Sequence, residues 1–181
     1  MTEIVKQYLD LLDSQRETAF AALDGLTEFQ IWLRPEPKEW CLGEILDHNY
    51  LLIASTIPLV RLAWRLQHRA AYRKRSKPYS TEIDDPYHKA SFPMWVGFLW
   101  KPRFTPDRQV PLDKVMDENR VLHAVVRSFY ESKDPDLLGH VHVFDPLFGF
   151  INLIVTLRIG IYHDQLHFDD VLKRAEELKS R

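Results

Sequence analysis

The 181-residue sequence predicts an all-α fold carried by four helices. Apolar residues recur at helical spacing over four long stretches. Between the second and third stretches lie Pro78, Pro86, Pro93, Pro102, Pro106 and Pro111, which forbid a continuing helix and make that connection long. A 45% hydrophobic share with 28% charged residues fits a globular chain with a full core. The length fits a single domain spanning residues 1–181.

The first helix is expected from Glu3 to about Leu23, with Val5, Tyr8, Leu9, Leu12, Ala19 and Phe20 on its apolar face and Gly25 to end it. Leu26 to Pro37 is a connector. A second helix starts near Trp40 and carries the stripe Leu42, Ile45, His48, Leu52, Thr56 and Ile57. Pro58 is expected to kink it, because the periodicity continues through Trp64 toward Gln67. The basic run Arg61 to Lys77 reads as a solvated helix end, with an anionic substrate as its alternative use.

The segment from Ser76 to Pro111 combines its prolines with Tyr79, Tyr87, Phe92, Trp95, Phe98, Trp100 and Phe104. Disordered segments do not use so many aromatics, so it is expected to pack as a cavity wall, a lid, a structural loop or a dimer contact. A third helix follows from Leu112 to Tyr130, with Val115, Met116, Leu122, Val125, Val126 and Phe129 inward, and Asp134-Pro135-Asp136 turns the chain. His140 to Phe144 alternates as a short extended piece whose two histidines, on one side of it, read as exposed connector residues, with a rival metal site as the alternative. The fourth helix is expected from Pro146 to Leu178, with Asp145 as its N-cap.

That last helix carries His163 and His167, four residues apart and therefore one turn apart on one face. Histidines at this spacing are commonly solvated or satisfied core groups, but here the pattern around them is unusual. Gly149, Asn152, Thr156 and Gly160 fall on the same side, a strip of small and polar residues where large apolar ones would fill space. The strip reads as a cavity wall, with Asn152 and Thr156 as candidate substrate contacts. His48, inward on the second helix, supplies a third imidazole if the two helices are neighbours. Three neutral imidazoles with the remaining positions open match a catalytic divalent-metal site better than a closed structural one. Asp47, Asp164 and Asp170 are candidates to orient the rings.

These residues resemble a known family. Trp40-Cys41-Leu42-Gly43-Glu44-Ile45-Leu46-Asp47-His48 looks like the W-S-x-x-E-I-x-x-H region of the DinB/YfiT-like metalloenzymes. Asp145-Pro146-Leu147-Phe148-Gly149 followed by His163-x-x-x-His167 looks like that family's C-terminal region, and the landmarks occur in order over nearly the whole chain. The resemblance implies a four-helix bundle of up-down-down-up topology with a long crossover between helices two and three, frequently dimeric. It implies zinc or nickel on His48, His163 and His167, and thiol-dependent transfer among its characterised members. Cys41 stands where the family has a serine cap, and Glu44 remains to reach back to the helix start.

The expected function is a metal-dependent transferase or hydrolase that activates a thiol or water against a small molecule, with a low-molecular-weight thiol as candidate partner and a homodimer as the assembly. The alternative is a non-catalytic protein with a structural metal or none and a hydrophobic ligand cavity. A di-iron carboxylate site needs Glu on two helices and Glu-x-x-His on two more, which only Asp164-x-x-His167 approaches. A net charge of −2 without a binding motif argues against nucleic acid. The N-terminus lacks the layout of a signal peptide, the greasiest run, Phe148 to Leu157, is short for a bilayer, and one cysteine excludes an internal disulfide. A cytoplasmic location without membrane attachment is expected.

Overall fold

The computed structural model describes residues 3–89, 93, 97 and 99–180. Phe92, Trp95 and Phe98 of the aromatic segment lie outside the described residues. The chain is mostly helical: α1 (Glu3–Ala21), α2 (Glu28–Ile31), α3 (Leu42–Tyr72), α4 (Leu112–Glu131), α5 (Pro135–Leu138), then β1 (His142–Asp145), β2 (Gly149–Asn152) and α6 (Leu153–Lys179). Each long helix packs on two others, α1 on α6 and α4, and α3 on α4 and α6.

Local chemistry explains most boundaries. Gly25 takes a left-handed φ of 83° beyond α1. In the expected connector, Thr27 and Gln30 close a capping box and nucleate the single turn α2. The start of α3 is fixed at Cys41, whose backbone N–H donates to Glu44 at 3.0 Å. Arg34 then clamps the Glu44 carboxylate through both of its oxygens. Pro58 does not end α3; it sits on the exposed side, where water can serve the carbonyl that its missing N–H leaves unpaired.

The C-terminal region departs from expectation. Asp145 does not cap a helix, and Pro146 does not begin one. The Asp145 carboxylate accepts from the N–H groups of Leu147 at 2.7 Å and Phe148 at 3.1 Å, and Gly149 takes φ 72°, so the chain reverses. Strands β1 and β2 pair antiparallel from His142↔Asn152 to Asp145↔Gly149. The helix starts at Leu153, capped by Asn152, whose side chain accepts from the Val155 N–H at 2.9 Å. Asp and Pro suit a helix start and a turn equally; the glycine at positive φ selects the turn.

The buried residues form two apolar clusters among the described residues. One joins Val5 and Leu12 of α1, Ile57 and Val60 of α3, Val126 and Tyr130 of α4, and Leu153, Leu157 and Ile161 of α6. The other joins Phe20 of α1, Ile45 and Leu46 of α3, Met116 of α4, and Phe168 and Val171 of α6. Each fully buried aliphatic side chain contributes about 1.5–3 kcal/mol. Between the clusters every long helix places polar groups in the interior: Arg16, then His48 and Asn49, then Asn119 and His123, then His163 and Asp164. A polar layer in that position costs free energy unless its members are paired.

Candidate metal centre

Helices α3 and α6 bring His48, His163 and His167 together, as the spacing predicts. Each offers one ring nitrogen to a group whose ligand atoms all lie within 4.8 Å of one another. The Nε2 atoms of His48 and His163 are 3.2 Å apart. Two nitrogens each about 2.1 Å from one tetrahedral ion lie roughly 3.4 Å apart, so this pair already has a ligand-pair separation. The His167 ring completes the cluster at 4.8 Å from His48 and 4.6 Å from His163, centroid to centroid.

The tautomer of His48 follows from its outer contact. Its Nδ1 lies 2.8 Å from the Trp100 carbonyl oxygen, which can only accept. Nδ1 therefore carries the proton, and in the neutral ring Nε2 presents a lone pair toward His163. Neutrality is favoured at all three rings. Burial lowers the pKa of His48 and takes those of His163 and His167 well below the ordinary imidazole value, with further lowering at the latter two from their neighbouring imidazoles. Neutral rings with converging lone pairs are the form that ligates a divalent ion. The three histidines fit a metal ion.

The carboxylates named for ring orientation have different fates. Asp164 is fully buried, with one oxygen 3.6 Å from His163 Nδ1 and the other 3.5 Å from His123 Nε2. Burial raises its pKa to about 6, against the opposing pull of His123 and Arg16. Asp47 does not touch a histidine ring. It accepts from Arg103 Nε at 2.9 Å and Nη2 at 2.6 Å, and from the backbone N–H of Phe104 at 3.2 Å. It thereby fastens the segment whose Trp100 carbonyl orients His48. Asp170 is exposed on the outer side of α6 and takes no part.

Asn152 is a correction too. Its oxygen caps α6 and its amide donates to the Ser80 carbonyl at 2.8 Å, so it serves the hairpin–helix junction rather than a substrate. Thr156, Gly160, His163 and His167 do share one wall of a cavity of about 200 Å³. Trp40, Tyr87, Trp100 and Phe148 bring aromatic surface to that cavity, which makes the long connection a wall of the site. Trp100 is pinned at both ends, its indole N–H donating to Ser55 Oγ at 2.6 Å. The Trp40 ring packs against His48 at a tilt, with the ring centroids 4.6 Å apart.

Sequence reasoning missed His123. It is fully buried on α4, neither ring nitrogen has a hydrogen-bond partner among the described residues, and burial lowers its pKa. Two further features add nothing to the centre. Cys41 is buried with its thiol pushed up to about 12, which makes it a poor nucleophile. His140 and His142 face backbone carbonyls of Lys77 and His140 and join no metal-ligand cluster among the described residues.

No protein-family model matches the chain, and no curated protein sequence does. Among the described residues no helix is long and apolar enough to cross a membrane.

Proposed function

We propose that the protein is a metal-dependent enzyme of the transferase or hydrolase class, with His48, His163 and His167 holding a divalent ion, zinc or nickel by the family resemblance. The observation that carries this reading is the His48 ring, whose Nδ1–H is committed to the Trp100 carbonyl so that its Nε2 lone pair points at His163 Nε2. When bound, such an ion lowers the pKa of a water or thiol on it and polarises a carbonyl. The chain's own residues do the rest. The Trp100 carbonyl orients His48, Asp164 stands 3.6 Å behind His163 Nδ1, and aromatic side chains line the cavity beside the imidazoles.

The proposal extends to a DinB/YfiT-like four-helix bundle of up-down-down-up topology. It is supported by the two apolar clusters: in one the N-terminal halves of α1 and α6 meet the C-terminal halves of α3 and α4, and in the other the opposite halves meet. The resemblance also carries a homodimer into the proposal, for which sedimentation is the test. The alternative reading, a non-catalytic binder, draws its support from the apolar cavity walls, since a hydrophobic ligand needs no ion.

Elemental analysis of untagged protein beside His48→Ala and His163→Ala tests the centre. One equivalent of divalent metal in the parent, lost in both variants, is expected. Failure to bind zinc, nickel or manganese on loading, or retention of the metal by the variants, removes the enzyme reading in favour of the binder.

A further inference from the structure

The cavity beside the imidazoles restricts what can stand there, and this inference rests on the metal reading only for the molecule's head group. Its volume of about 200 Å³ compares with the roughly 150 Å³ of an apolar cavity that takes up benzene. It has room for about one ring and a small head. Among the described lining residues there is no Lys or Arg, whereas one carboxylate, Asp145, is present. In a poorly screened space that carboxylate disfavours an anion. The Thr156 hydroxyl donates to the Asn152 carbonyl within its own helix and is not a free donor to a ligand.

The basic run cannot compensate. Its nearest member, Arg61, lies 13 residues along α3 from His48, about 20 Å at the α-helical rise, well beyond a molecule of one ring. An anionic thiol seated at the imidazoles does not reach it. The cavity instead continues into apolar space. A second cavity of about 70 Å³ shares Leu52, Thr56, Thr156 and Gly160 with the first and is lined by residues of all four long helices. Gly160 lines both cavities and so marks the neck between them, and a Cβ placed there meets nothing within 4 Å.

We infer that the site takes an uncharged, mostly apolar molecule of about one ring, with one electron-pair donor at the three histidines, its body between Trp40, Trp100 and Phe148 and its far end toward Gly160. A carboxylate or phosphate carried on the body, away from the head group, is disfavoured by Asp145 and meets no Lys or Arg among the described lining residues.

The test uses 4-phenylimidazole and imidazole-4-acetate, which share a head and differ in body, titrated calorimetrically into cobalt-loaded and metal-free protein. The phenyl compound is expected to bind at least tenfold tighter in both forms and, with cobalt, to move the visible absorption bands. Gly160→Leu, or Thr156→Leu should the first variant not fold, is expected to weaken the phenyl compound tenfold or more with cobalt retained. Equal or tighter binding of the acetate, no binding of either compound, or an unchanged phenyl affinity in the folded neck variant overturns the assignment. If cobalt does not bind yet the tenfold preference persists in metal-free protein, the metal reading fails and the cavity assignment stands.

Discussion

His163 has one nitrogen toward the ligand cluster and the other toward Asp164, which faces His123 in turn. A carboxylate behind a ligating imidazole fixes its orientation and raises its basicity, so Asp164→Asn is expected to weaken zinc binding 10- to 100-fold with the helical circular dichroism retained. Unchanged affinity in a chelator competition would remove Asp164 from this role. Acid should also loosen the fold. His48, His123, His163 and His167 all have folded-state pKa values below the ordinary 6.5, so below that pH the unfolded chain takes up protons that the folded one refuses. Asp164, raised to about 6, acts oppositely, its contribution being present at low pH and lost as pH rises through about 6, but it is one group against four. The urea midpoint of metal-free protein is therefore expected to fall between pH 7.5 and 5.5; a midpoint that holds or rises contradicts the burial of these rings. The ligands were legible because the pair repeats every four residues and His48 interrupts an apolar stripe. His123 had the same kind of signal, since Met116, Asn119, His123, Val126 and Tyr130 continue one helical stripe, but it lacks a partner in sequence.

The clearest failure of sequence reasoning concerns one element, the start of α6. Residues 145–152 carry apolar groups without a clear period, and a short apolar run of that kind does not distinguish strand from helix by periodicity. Asn152 is where the correction has energetic content, because it caps α6 and donates to the Ser80 carbonyl. Asn152→Ala is expected to cost about 1–2 kcal/mol, read as a lowered thermal midpoint, with Asn152→Asp recovering the cap but not the Ser80 bond. Equal stability of the alanine variant and the parent would show that the cap is dispensable. Asp47 tests the element that covers the site. Asp47→Ala frees the Phe104 N–H and leaves Arg103 only its Glu118 ion pair, so the Trp100 carbonyl loses much of its support. Metal affinity is expected to drop although Asp47 touches no ligand, and unaltered affinity would show that Trp100 is held by Ser55 alone.

On the scale of the whole molecule, the helical class and the four long helices followed from apolar spacing, whereas the polar layer between the two apolar clusters did not. That layer depends on the relative heights at which α1, α3, α4 and α6 cross, and periodicity within one helix carries no such information. Gly43 shows how closely the elements are fitted: a Cβ there would meet the Trp32 ring at 2.6 Å, with the ring buried. Gly43→Ala is expected to destabilise by about 1–3 kcal/mol, the range for overpacking a core. A denaturant midpoint equal to the parent's would mean that the indole shifts freely.

His48 and His163 are 115 residues apart, and α1 finds its largest partner in α6. Contacts of such separation bring a large loop-closure cost, so they are expected late on the folding path. An ion that needs both histidines then has little to hold in the transition state. Zinc is expected to slow unfolding and leave the refolding rate unchanged, its whole effect appearing on one arm of the chevron plot. Acceleration of refolding by zinc would place the meeting of α3 and α6 early instead. With refolding unaffected, the centre is a kinetic latch, closed after the chain has found its shape and governing how long that shape lasts.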